Sequence, residues 1–339
     1  MRARTWTVLA LAICLAVVTG CLGPGGTNNP ASGGVARKPT GPITLAVVPK
    51  AVGFDFWRQV RDGAECAASR QKDVTAQWDA VSAETDVVGQ VNLVQRFIGQ
   101  GVDGIVYAAT DAAALAPITD QAVSKHIAVV NIDSGTYPQP PGVPLLATDS
   151  VGAAAKAADV LAETVGPGPK KVAFLPFMPG SATNDQRAQG FKAGLEKHPD
   201  IKVAAEQSIQ SDFTTAVSTT ARMLDTIPDL NGIYAPSEIG VLGAAEAVQK
   251  SGKAGHVKII GWDAAPDEVR LMRAGVVSAL VAQNPFRMGY DGVNAAVKMI
   301  REGTAVPSGD TGATLLTRDN LSTPEVQALL SPSCVNPPA

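Results

Sequence analysis

From residue 43 onward, the chain alternates between two hydrophobic patterns. Short, nearly continuous apolar runs have the length of strands, and the longer segments between them carry apolar residues at helical spacing. The run 127–132, IAVVNI, is typical of a strand in a parallel sheet that helices cover on both faces. The pattern therefore predicts repeated β-α-β units.

The predicted elements form two series, separated by the proline-containing stretch 138–144. The first series has strands at 43–49, 74–78, 103–107 and 127–132, a helix ending near 70 and a helix at 86–99 with Thr85 as its N-cap. The second has strands at 171–175, 201–209, 232–235, 257–261 and 276–281, with helices from 150 and at 185–198, 214–226 and 238–250. Two sheets of about six strands are ordinary, whereas one parallel sheet of about a dozen is unusual. We therefore expect an α/β protein with two doubly wound parallel-sheet lobes.

The first twenty residues have the pattern of a signal peptide. Arg2 and Arg4 precede an apolar run, 6–18, that is too short to span about 30 Å of hydrocarbon. The run ends in VTG directly before Cys21, which resembles the lipobox where bacterial lipoproteins are cut and acylated. We predict a signal peptide at 1–20 and a lipid on Cys21; the alternative is an ordinary signal peptide followed by a chance cysteine.

The segment 21–41 is rich in Gly, Pro, Asn and Ser, so it cannot bury enough apolar surface to offset the entropy of ordering it. We expect a flexible tether there, and membrane contact through the lipid alone, because no second long apolar stretch follows. The net charge is −3 and the pI is about 5.7, without a basic run, so nucleic acid is not an expected partner.

Of the four cysteines, Cys14 leaves with the signal peptide and Cys21 carries the lipid under this interpretation. Cys66 and Cys334 then remain in an oxidising compartment. We predict a disulfide between them that ties the C-terminal tail to the first helix; the alternative is two unpaired thiols.

The sequence offers little catalytic chemistry. Its three histidines, His126, His198 and His256, lack the i, i+4 spacing of a helical metal site, and no G-x-S-x-G elbow or P-loop lysine motif occurs. The string 99–104, GQGVDG, fits G-x-G-x-x-G but follows a helix and precedes a strand, the reverse of a pyrophosphate-binding turn. We therefore expect no cofactor, no metal and no enzymatic activity.

Aromatic, charged and amide residues stand where predicted strands end. Ligands of open α/β sheets lie beyond these carboxyl ends, so the positions can converge in one cleft. Aromatic faces suit the C–H faces of a sugar ring, and charged groups suit its hydroxyl rim. The alternative is that the aromatic residues belong to the core and the carboxylates cap helices. The candidates at strand ends are Phe54, Phe56, Trp57, Asp133, Ser134, Trp262, Asp263 and Gln283.

Seven segments resemble, in order and spacing, the ribose-binding-protein family, the type I periplasmic solute receptors of ABC importers. They are FWRQVRDGAE at 56–65, GVDGIV at 101–106, NIDS at 131–134, DQRAQGF at 185–191, SDF at 211–213, IGWD at 260–263 and AQNP at 282–285. The resemblance extends from about 43 to 323. It implies a two-lobed periplasmic binding protein of type I that delivers a monosaccharide or related polyol to an ABC permease and ATPase complex.

The resemblance also implies roles for individual residues. By its pattern, the ring-stacking residues are Phe56, Trp57 and either Phe213 or Trp262, and the hydroxyl-binding residues are Asp133, Arg187, Asp263 and Gln283. Ala108, Ser134 and Ser237, the last beside Glu238, depart from the ribose-type pattern and point away from ribose itself. Ser134, Ser237 and Glu238 occupy ligand positions of that pattern, so we expect them to contact the ligand as well. Lys50 is similar to a branch that includes rhamnose and autoinducer-2 receptors; it either adds a donor at the cleft edge or is a solvated loop lysine.

The expected boundaries are 42–147 with 284–312 for the N-terminal lobe, 148–283 with 313–333 for the C-terminal lobe, and 334–339 for the tail. We expect a multi-strand hinge near Thr148, Gln283 and Gly312 to let the lobes close, because each lobe contributes part of the site. The protein is expected to be an extracytoplasmic monomer, anchored to the cell membrane by Cys21. The alternatives are a sensor of sugar or autoinducer-2 that feeds a signalling receptor, an enzyme without a candidate reactive group, and a repressor that the signal peptide argues against.

Overall fold

The described chain, residues 34–335 of a computed structural model, contains two six-stranded sheets. The predicted signal peptide and Cys21 lie outside the described residues. The first sheet contains β1 (Ile43–Val48), β2 (Val74–Trp78), β3 (Gly104–Tyr107), β4 (Ala128–Ile132), β5 (Leu145–Ala147) and β11 (Gly309–Asp310), in the order β11-β5-β4-β3-β1-β2. The helices of this lobe are α1 (Asp55–Ser69), α2 (Val87–Gln100), α3 (Ala116–Ser124) and α9 (Pro285–Glu302).

The second sheet forms the C-terminal lobe. It contains β6 (Lys170–Phe174), β7 (Ile201–Glu206), β8 (Leu230–Ala235), β9 (Lys258–Trp262), β10 (Ala279–Gln283) and β12 (Ala313–Leu316), in the order β12-β10-β9-β8-β6-β7. Its helices are α4 (Ser150–Val165), α5 (Ala182–Leu195), α6 (Phe213–Thr226), α7 (Glu238–Lys250), α8 (Pro266–Arg273) and α10 (Pro324–Leu330). The predicted α/β fold of two parallel-sheet lobes is confirmed.

Both lobes repeat the strand order of a doubly wound fold. The first strand of each lobe lies in the interior of its sheet, β1 between β2 and β3, and β6 between β7 and β8. Paired strands are parallel except β12, which runs antiparallel to β10. The chain order reverses beside β1 and beside β6, and a crevice opens at the carboxyl ends of the strands at such a switch point. The two switch points therefore indicate where a ligand site lies.

Close helix pairs hold the elements that carry site residues. A Cβ atom at Gly63 of α1 would lie 1.9 Å from the carbonyl oxygen of Phe286 in α9. In the C-terminal lobe, a Cβ atom at Gly190 of α5 would lie 2.1 Å from the carbonyl oxygen of Val151 in α4. Real Cβ atoms do not approach carbonyl oxygens this closely, so only glycine permits backbone contact at these two points. The contacts fix α1 and α5 against their lobes.

The described chain passes between the lobes three times. The crossings lie between β5 and α4, between β10 and α9, and between β11 and β12. Hydrogen bonds join two of them: the Thr148 hydroxyl donates to the carbonyl oxygen of Gly312 at 3.1 Å, and the Thr311 amide donates to that of Ala147 at 3.0 Å. Because the crossings are short and few, the lobes can rotate about them.

Several predicted boundaries differ from the observed ones. Asp86, not Thr85, caps α2, because its carboxylate accepts the Gly89 amide at 2.8 Å. The last parallel strand begins at residue 279 rather than 276, because the amides of Val276 and Val277 donate to the carbonyl oxygen of Leu271 in the last turn of α8. Seven elements were not predicted: β5, β11, β12, α3, α8, α9 and α10. Six of them are short, with two to four residues in the strands and seven to nine in the helices, and so show little periodicity; α9, with 18 residues, is the long helix that was missed.

Part of the predicted tether is docked on the N-terminal lobe. The Lys38 side chain pairs with Asp103 at 2.9 Å, and its amide donates to the carbonyl oxygen of Ile300 at 2.8 Å. Arg301 donates to the carbonyl oxygens of Lys38 and Gly41 at 3.0 and 2.8 Å. Composition indicated flexibility for all of 21–41, but these contacts hold the chain against the lobe at Lys38 and Gly41.

Candidate functional site

A cavity lies between the two lobes, at the carboxyl ends of both sheets. From the N-terminal lobe it is lined by Lys50, Phe54, Phe56, Trp57, Glu84 and Asp133. From the C-terminal lobe it is lined by Phe177, Thr183, Arg187, Ser211, Ser237, Glu238, Ile239, Asp263 and Gln283. Neither lobe alone forms the site.

Two buried aspartates occupy equivalent positions in the two lobes. Asp133 directly follows β4 and Asp263 directly follows β9, each the second strand beyond the switch point. Both have left-handed backbone, with φ of 57° and 76°. This conformation is uncommon for residues other than glycine and persists where the surrounding structure enforces it, often at functional sites. The fold therefore presents one carboxylate from each lobe to the same cavity.

Lys50, in the loop between β1 and α1, is a buried cation with 2% exposure. Its Nζ lies 2.8 Å from Oδ2 of Asp133 in its own lobe. It also donates to the hydroxyls of Ser181 and Thr183 in the other lobe, at 3.0 and 2.9 Å. These three acceptors match the three hydrogens of an ammonium group. Lys50 therefore links the lobes, and the alternative of a solvated loop lysine does not hold.

Arg187 of α5 lies flat on an aromatic surface at the floor of the cavity. Its Cζ is 3.9 Å from the centroid of the Trp262 ring and 5.5 Å from that of Phe177. Nη1 donates to the carbonyl oxygen of Pro236 at 2.8 Å, and Nη2 is 3.9 Å from Oδ1 of Asp133. Among the described residues, nothing accepts a hydrogen bond from Nε. A buried donor without a partner costs about 1–3 kcal/mol, so Arg187 favours an oxygen-bearing ligand.

Asp263 connects the hinge to the C-terminal wall of the cavity. Its Oδ1 accepts Nε2 of Gln283 at 2.7 Å, and its Oδ2 accepts the Glu238 amide at 3.1 Å. Burial raises the pKa of Asp263, and the Arg187 guanidinium partly offsets that rise. Burial also raises the pKa of Glu238 to about 7, with the charge of Asp263 as the second cause. Within the described chain, Oε1 of Gln283 lacks a hydrogen-bond partner, so it is an acceptor free for a ligand hydroxyl.

Further hydrogen bonds cross between the lobes around the cavity. The Glu238 carboxylate, at the start of α7, accepts the backbone amides of Asp55 and Phe56 at 3.2 Å each, in the first turn of α1. A helix N-terminus stabilises a negative charge, and both amides lower the pKa of Glu238 against the effect of burial. The Ser211 hydroxyl donates to Oε2 of Glu84 at 2.6 Å. With Lys50 and its two hydroxyl partners, these contacts describe a closed arrangement of the lobes.

Aromatic rings supply the apolar part of the lining. Phe56 and Trp57 of α1 meet edge to face, with ring centroids 4.7 Å apart and planes at 88°. Phe177 faces the cavity from the other lobe, and Nζ of Lys50 lies about 6 Å from the rings of both Trp57 and Phe177. The cavity therefore combines aromatic surfaces from both lobes with charged groups between them.

Ten of the thirteen candidate residues, Phe54 among them, line the cavity and three do not. Trp262 has 0% exposure, its Nε1 donates to the Tyr234 hydroxyl at 2.8 Å, and Arg187 covers its face, so it supports Arg187 rather than facing the cavity. The Ser134 hydroxyl donates to the carbonyl oxygen of Ala109 at 2.6 Å within the N-terminal lobe. Phe213, at 39% exposure, begins α6 outside the cavity. The placement of these three differs from the prediction.

Some lining residues were missed by sequence reasoning. Phe177 and Ile239 follow strand ends or begin a helix, as the predicted residues do, but are ordinary apolar residues with no distinguishing chemistry. Glu84, Thr183 and Ser211 lie in connecting segments or in the first turn of a helix. Their partners are far away along the chain, so no local pattern marks them.

Other features of the described chain bear on the expected chemistry. Cys66 and Cys334 are joined by a disulfide, with Cα atoms 5.5 Å apart. Between residues 34 and 335, no group of histidine, cysteine, aspartate or glutamate side chains is arranged to hold a metal ion. None of the helices in this range is long and apolar enough to cross a membrane.

Residues 45–305 match the family described as periplasmic binding protein domain, and the chain belongs to that family. It is a type I periplasmic sugar-binding protein. Members of this family bind solutes rather than catalyse reactions, and membership implies a location outside the cytoplasm.

Among its relatives, a D-ribose/D-allose-binding protein of Pseudomonas aeruginosa is 29% identical over 265 residues, covering 76% of this chain and 82% of the relative. The D-allose-binding periplasmic protein of Escherichia coli is 28% identical, covering 77% and 86%. An ABC transporter solute-binding protein from Agrobacterium vitis, solved with bound D-fucose, is 30% identical with a TM-score of 0.82, covering 85% of this chain and all of that one.

Proposed function

We propose that this protein captures a neutral sugar or sugar-like polyol between its lobes and delivers it to an ABC importer. The observation that carries the proposal is the arrangement of Asp133, Arg187 and Asp263 beside aromatic rings in a cavity that both lobes share. The relatives that bind ribose or allose, and the structural neighbour with fucose, support this substrate class.

The lining matches the two surfaces of a sugar. Phe56, Trp57 and Phe177 offer apolar faces to the C–H side of a ring. Arg187 and Gln283 have a donor and an acceptor, respectively, that no described residue satisfies. A hydroxyl both donates and accepts, so a polyol satisfies both kinds of group, and bonds to charged groups are the stronger ones.

The charge of the lining favours a neutral ligand over an acidic one. Four carboxyl groups line the cavity with two cations, Lys50 and Arg187, and the Lys50 charge is already paired with Asp133. A ligand carboxylate or phosphate would lie beside Asp263 and Glu238, and of the two lining cations only Arg187 is placed to offset their repulsion. We therefore expect uncharged sugars to bind and the corresponding sugar acids to be rejected.

Closure follows from the shared site. A ligand held by Asp133 in one lobe and Arg187 in the other binds the closed state more tightly than the open state. The difference in binding free energy between the two states sets how far the ligand shifts the population toward the closed state. An ABC permease would then bind the closed shape. We further propose that Cys21 carries a lipid, which anchors the protein to the membrane that contains the importer.

A ligand screen tests the proposal. Thermal shift and tryptophan fluorescence of the protein with pentoses, hexoses, deoxysugars, polyols and autoinducer-2 should find a ligand that raises Tm and changes the Trp57 emission. Asp133→Ala should remove most of that affinity, while Asp111→Ala, in a loop outside the cavity, should not. A sugar acid that binds more tightly than every neutral sugar would contradict the proposed class.

Two further assays test the remaining parts of the proposal. Deletion of the gene should abolish uptake of the best ligand if the protein serves an importer, and should leave uptake unchanged if it serves a signalling receptor. Mass spectrometry of the membrane fraction should find a diacyl or triacyl group on Cys21, and Cys21→Ser should release the protein from the membrane.

A further inference from the structure

The C-terminal segment joins the two lobes a fourth time. After β12 the chain forms α10, whose Val326 is buried in the hydrophobic core of the C-terminal lobe, with Leu329 and Leu330 packed against that core. Four residues after α10 ends, Cys334 is bonded to Cys66 in α1 of the N-terminal lobe. The disulfide therefore closes a covalent path between lobes that is separate from the three hinge crossings.

The path is anchored firmly at both ends. Cys66 is buried in α1, and the Arg70 guanidinium one turn later donates to the carbonyl oxygens of Cys334 and Val335. At the other end, the Thr323 hydroxyl caps α10 by accepting the Val326 amide at 3.4 Å. Neither end can move independently of its lobe without breaking packed structure.

The path is also short. From Leu330 to Cys334 the chain can span at most about 14 Å when fully extended. The Cα atoms of Cys66 and Cys334 are 5.5 Å apart. The end of α10 therefore stays within about 20 Å of Cys66, in the last turn of α1, in every conformation that keeps the disulfide and α10 intact.

This path runs beside the cleft. Phe56 and Gln59 of α1, with Leu329 and Leu330 of α10, line a small groove between the lobes that also touches Asp263 at the edge of the ligand cavity. Gln283 and Pro285 of the β10–α9 crossing line the same groove, so α1 and α10 face each other beside a hinge, and rotation of the lobes about that hinge changes the distance between them. A length limit between them is therefore a limit on opening.

We propose that residues 331–334 and the Cys66–Cys334 disulfide form a strap that limits how far the lobes open. The inference rests on the proposed two-lobed binding function, because it treats opening as the state that exchanges ligand. By excluding widely open conformations, the strap raises the fraction of ligand-free molecules that are ready to close. Apparent affinity scales with that fraction, so the strap strengthens binding without touching the ligand.

The test lengthens the strap and leaves its chemistry intact. Six Gly and Ser residues inserted between Ser331 and Pro332 add up to about 20 Å of reach while the disulfide still forms. The matched control carries the same insertion after Val335, beyond the disulfide. A second variant, Cys66→Ser with Cys334→Ser, removes the strap. All are made in the mature chain with Cys21→Ser, and circular dichroism and a thiol count check folding and disulfide formation.

Small-angle X-ray scattering of the ligand-free proteins gives the decisive result without any ligand, so it separates this inference from the proposed function. The lengthened and cut straps should both increase the radius of gyration, and the control insertion should not. With the best sugar, Kd should rise on the order of threefold in both variants.

Equal radii of gyration in the parent and the lengthened strap would overturn the inference. So would a larger radius in the cysteine variant alone, because the disulfide would then act by stabilising α1 or α10 locally rather than by length. If the cysteine variant does not fold, the lengthened strap against its control decides the question.

Discussion

Glu238 should make closure over the ligand depend on pH. In the closed structure its carboxyl lies between the lobes, and burial raises its pKa to about 7 from an ordinary 4.5. When the lobes part, water reaches this carboxyl, and its pKa moves back toward the ordinary value. The closed state therefore binds a proton more tightly than the open state. Its stabilisation is fully present below pH 4.5 and is lost as pH rises through about 7.

The magnitude follows from these two values. The interval between 4.5 and about 7 corresponds to about 3 kcal/mol at 1.36 kcal/mol per pKa unit. That is an upper limit for closure, because Asp263 still raises the pKa of Glu238 after the lobes open, both being in the C-terminal lobe. Burial also raises the pKa of Glu268, but this carboxyl is buried within the C-terminal lobe whether the lobes are open or closed, so it does not make closure depend on pH. We expect affinity to fall on the order of tenfold between pH 5 and pH 8.

The assay is a series of fluorescence titrations with the best ligand at pH 5, 6, 7 and 8 in constant ionic strength. Glu238→Gln keeps the shape of the side chain but cannot titrate, so its affinity should vary much less over this range. Glu246→Gln is the matched control, since Glu246 is on the same helix but pairs with Lys250 on the surface. Affinity that rises with pH, or a Glu238→Gln protein with the full pH dependence, would show that protonation of Glu238 does not favour closure.

Two substitutions test the packing beneath the site. Gly63→Ala should lower the free energy of unfolding by about 3 kcal/mol, because its Cβ would meet the carbonyl oxygen of Phe286 at 1.9 Å. The control Gly99→Ala, whose Cβ would have no atom within 4 Å, should change the free energy of unfolding little. Equal stabilities of the two variants in urea unfolding would contradict the close contact of α1 with α9. Trp262→Leu should weaken ligand affinity on the order of tenfold, the loss of about 1–2 kcal/mol of contact with the Arg187 guanidinium, although Trp262 does not face the ligand. Unchanged affinity by calorimetry would show that Arg187 does not need this support.

The fold was accessible from sequence because its signals are local. Continuous apolar strands followed by amphipathic helices identify β-α-β units wherever they occur, and the break at 138–144 separates the two series. The position of the cleft followed as well, because strand ends in such folds meet at one edge. Asp133, Asp263 and Gln283 lie where this rule places them.

The direction in which a side chain points at a strand end could not be predicted from the sequence in the same way. Trp262 and Asp263 are neighbours at the end of β9, and successive side chains of a strand point to opposite faces. Trp262 packs into the core against Tyr234, whereas Asp263 lines the cavity. Sequence position identifies the edge of the sheet for both residues but does not distinguish which one turns inward.

Contacts between the lobes could not be predicted from the sequence either. Glu84 and Ser211 are 127 residues apart, and Glu238 lies 183 residues from Asp55, whose amide it accepts. Such pairs form only when the hinge brings two independently folded surfaces together, so neither partner carries a local signal. The same holds for Lys50, whose role depends on hydroxyls of the other lobe.

Both lobes should hold the same ligand at once, and a crystal structure with the best neutral sugar from the screen would show whether they do. We expect the sugar ring among Phe56, Trp57 and Phe177, with hydroxyls within hydrogen-bonding distance of Asp133 in one lobe and Arg187 in the other. A sugar bound outside the cavity, or one that contacts a single lobe, would contradict this expectation.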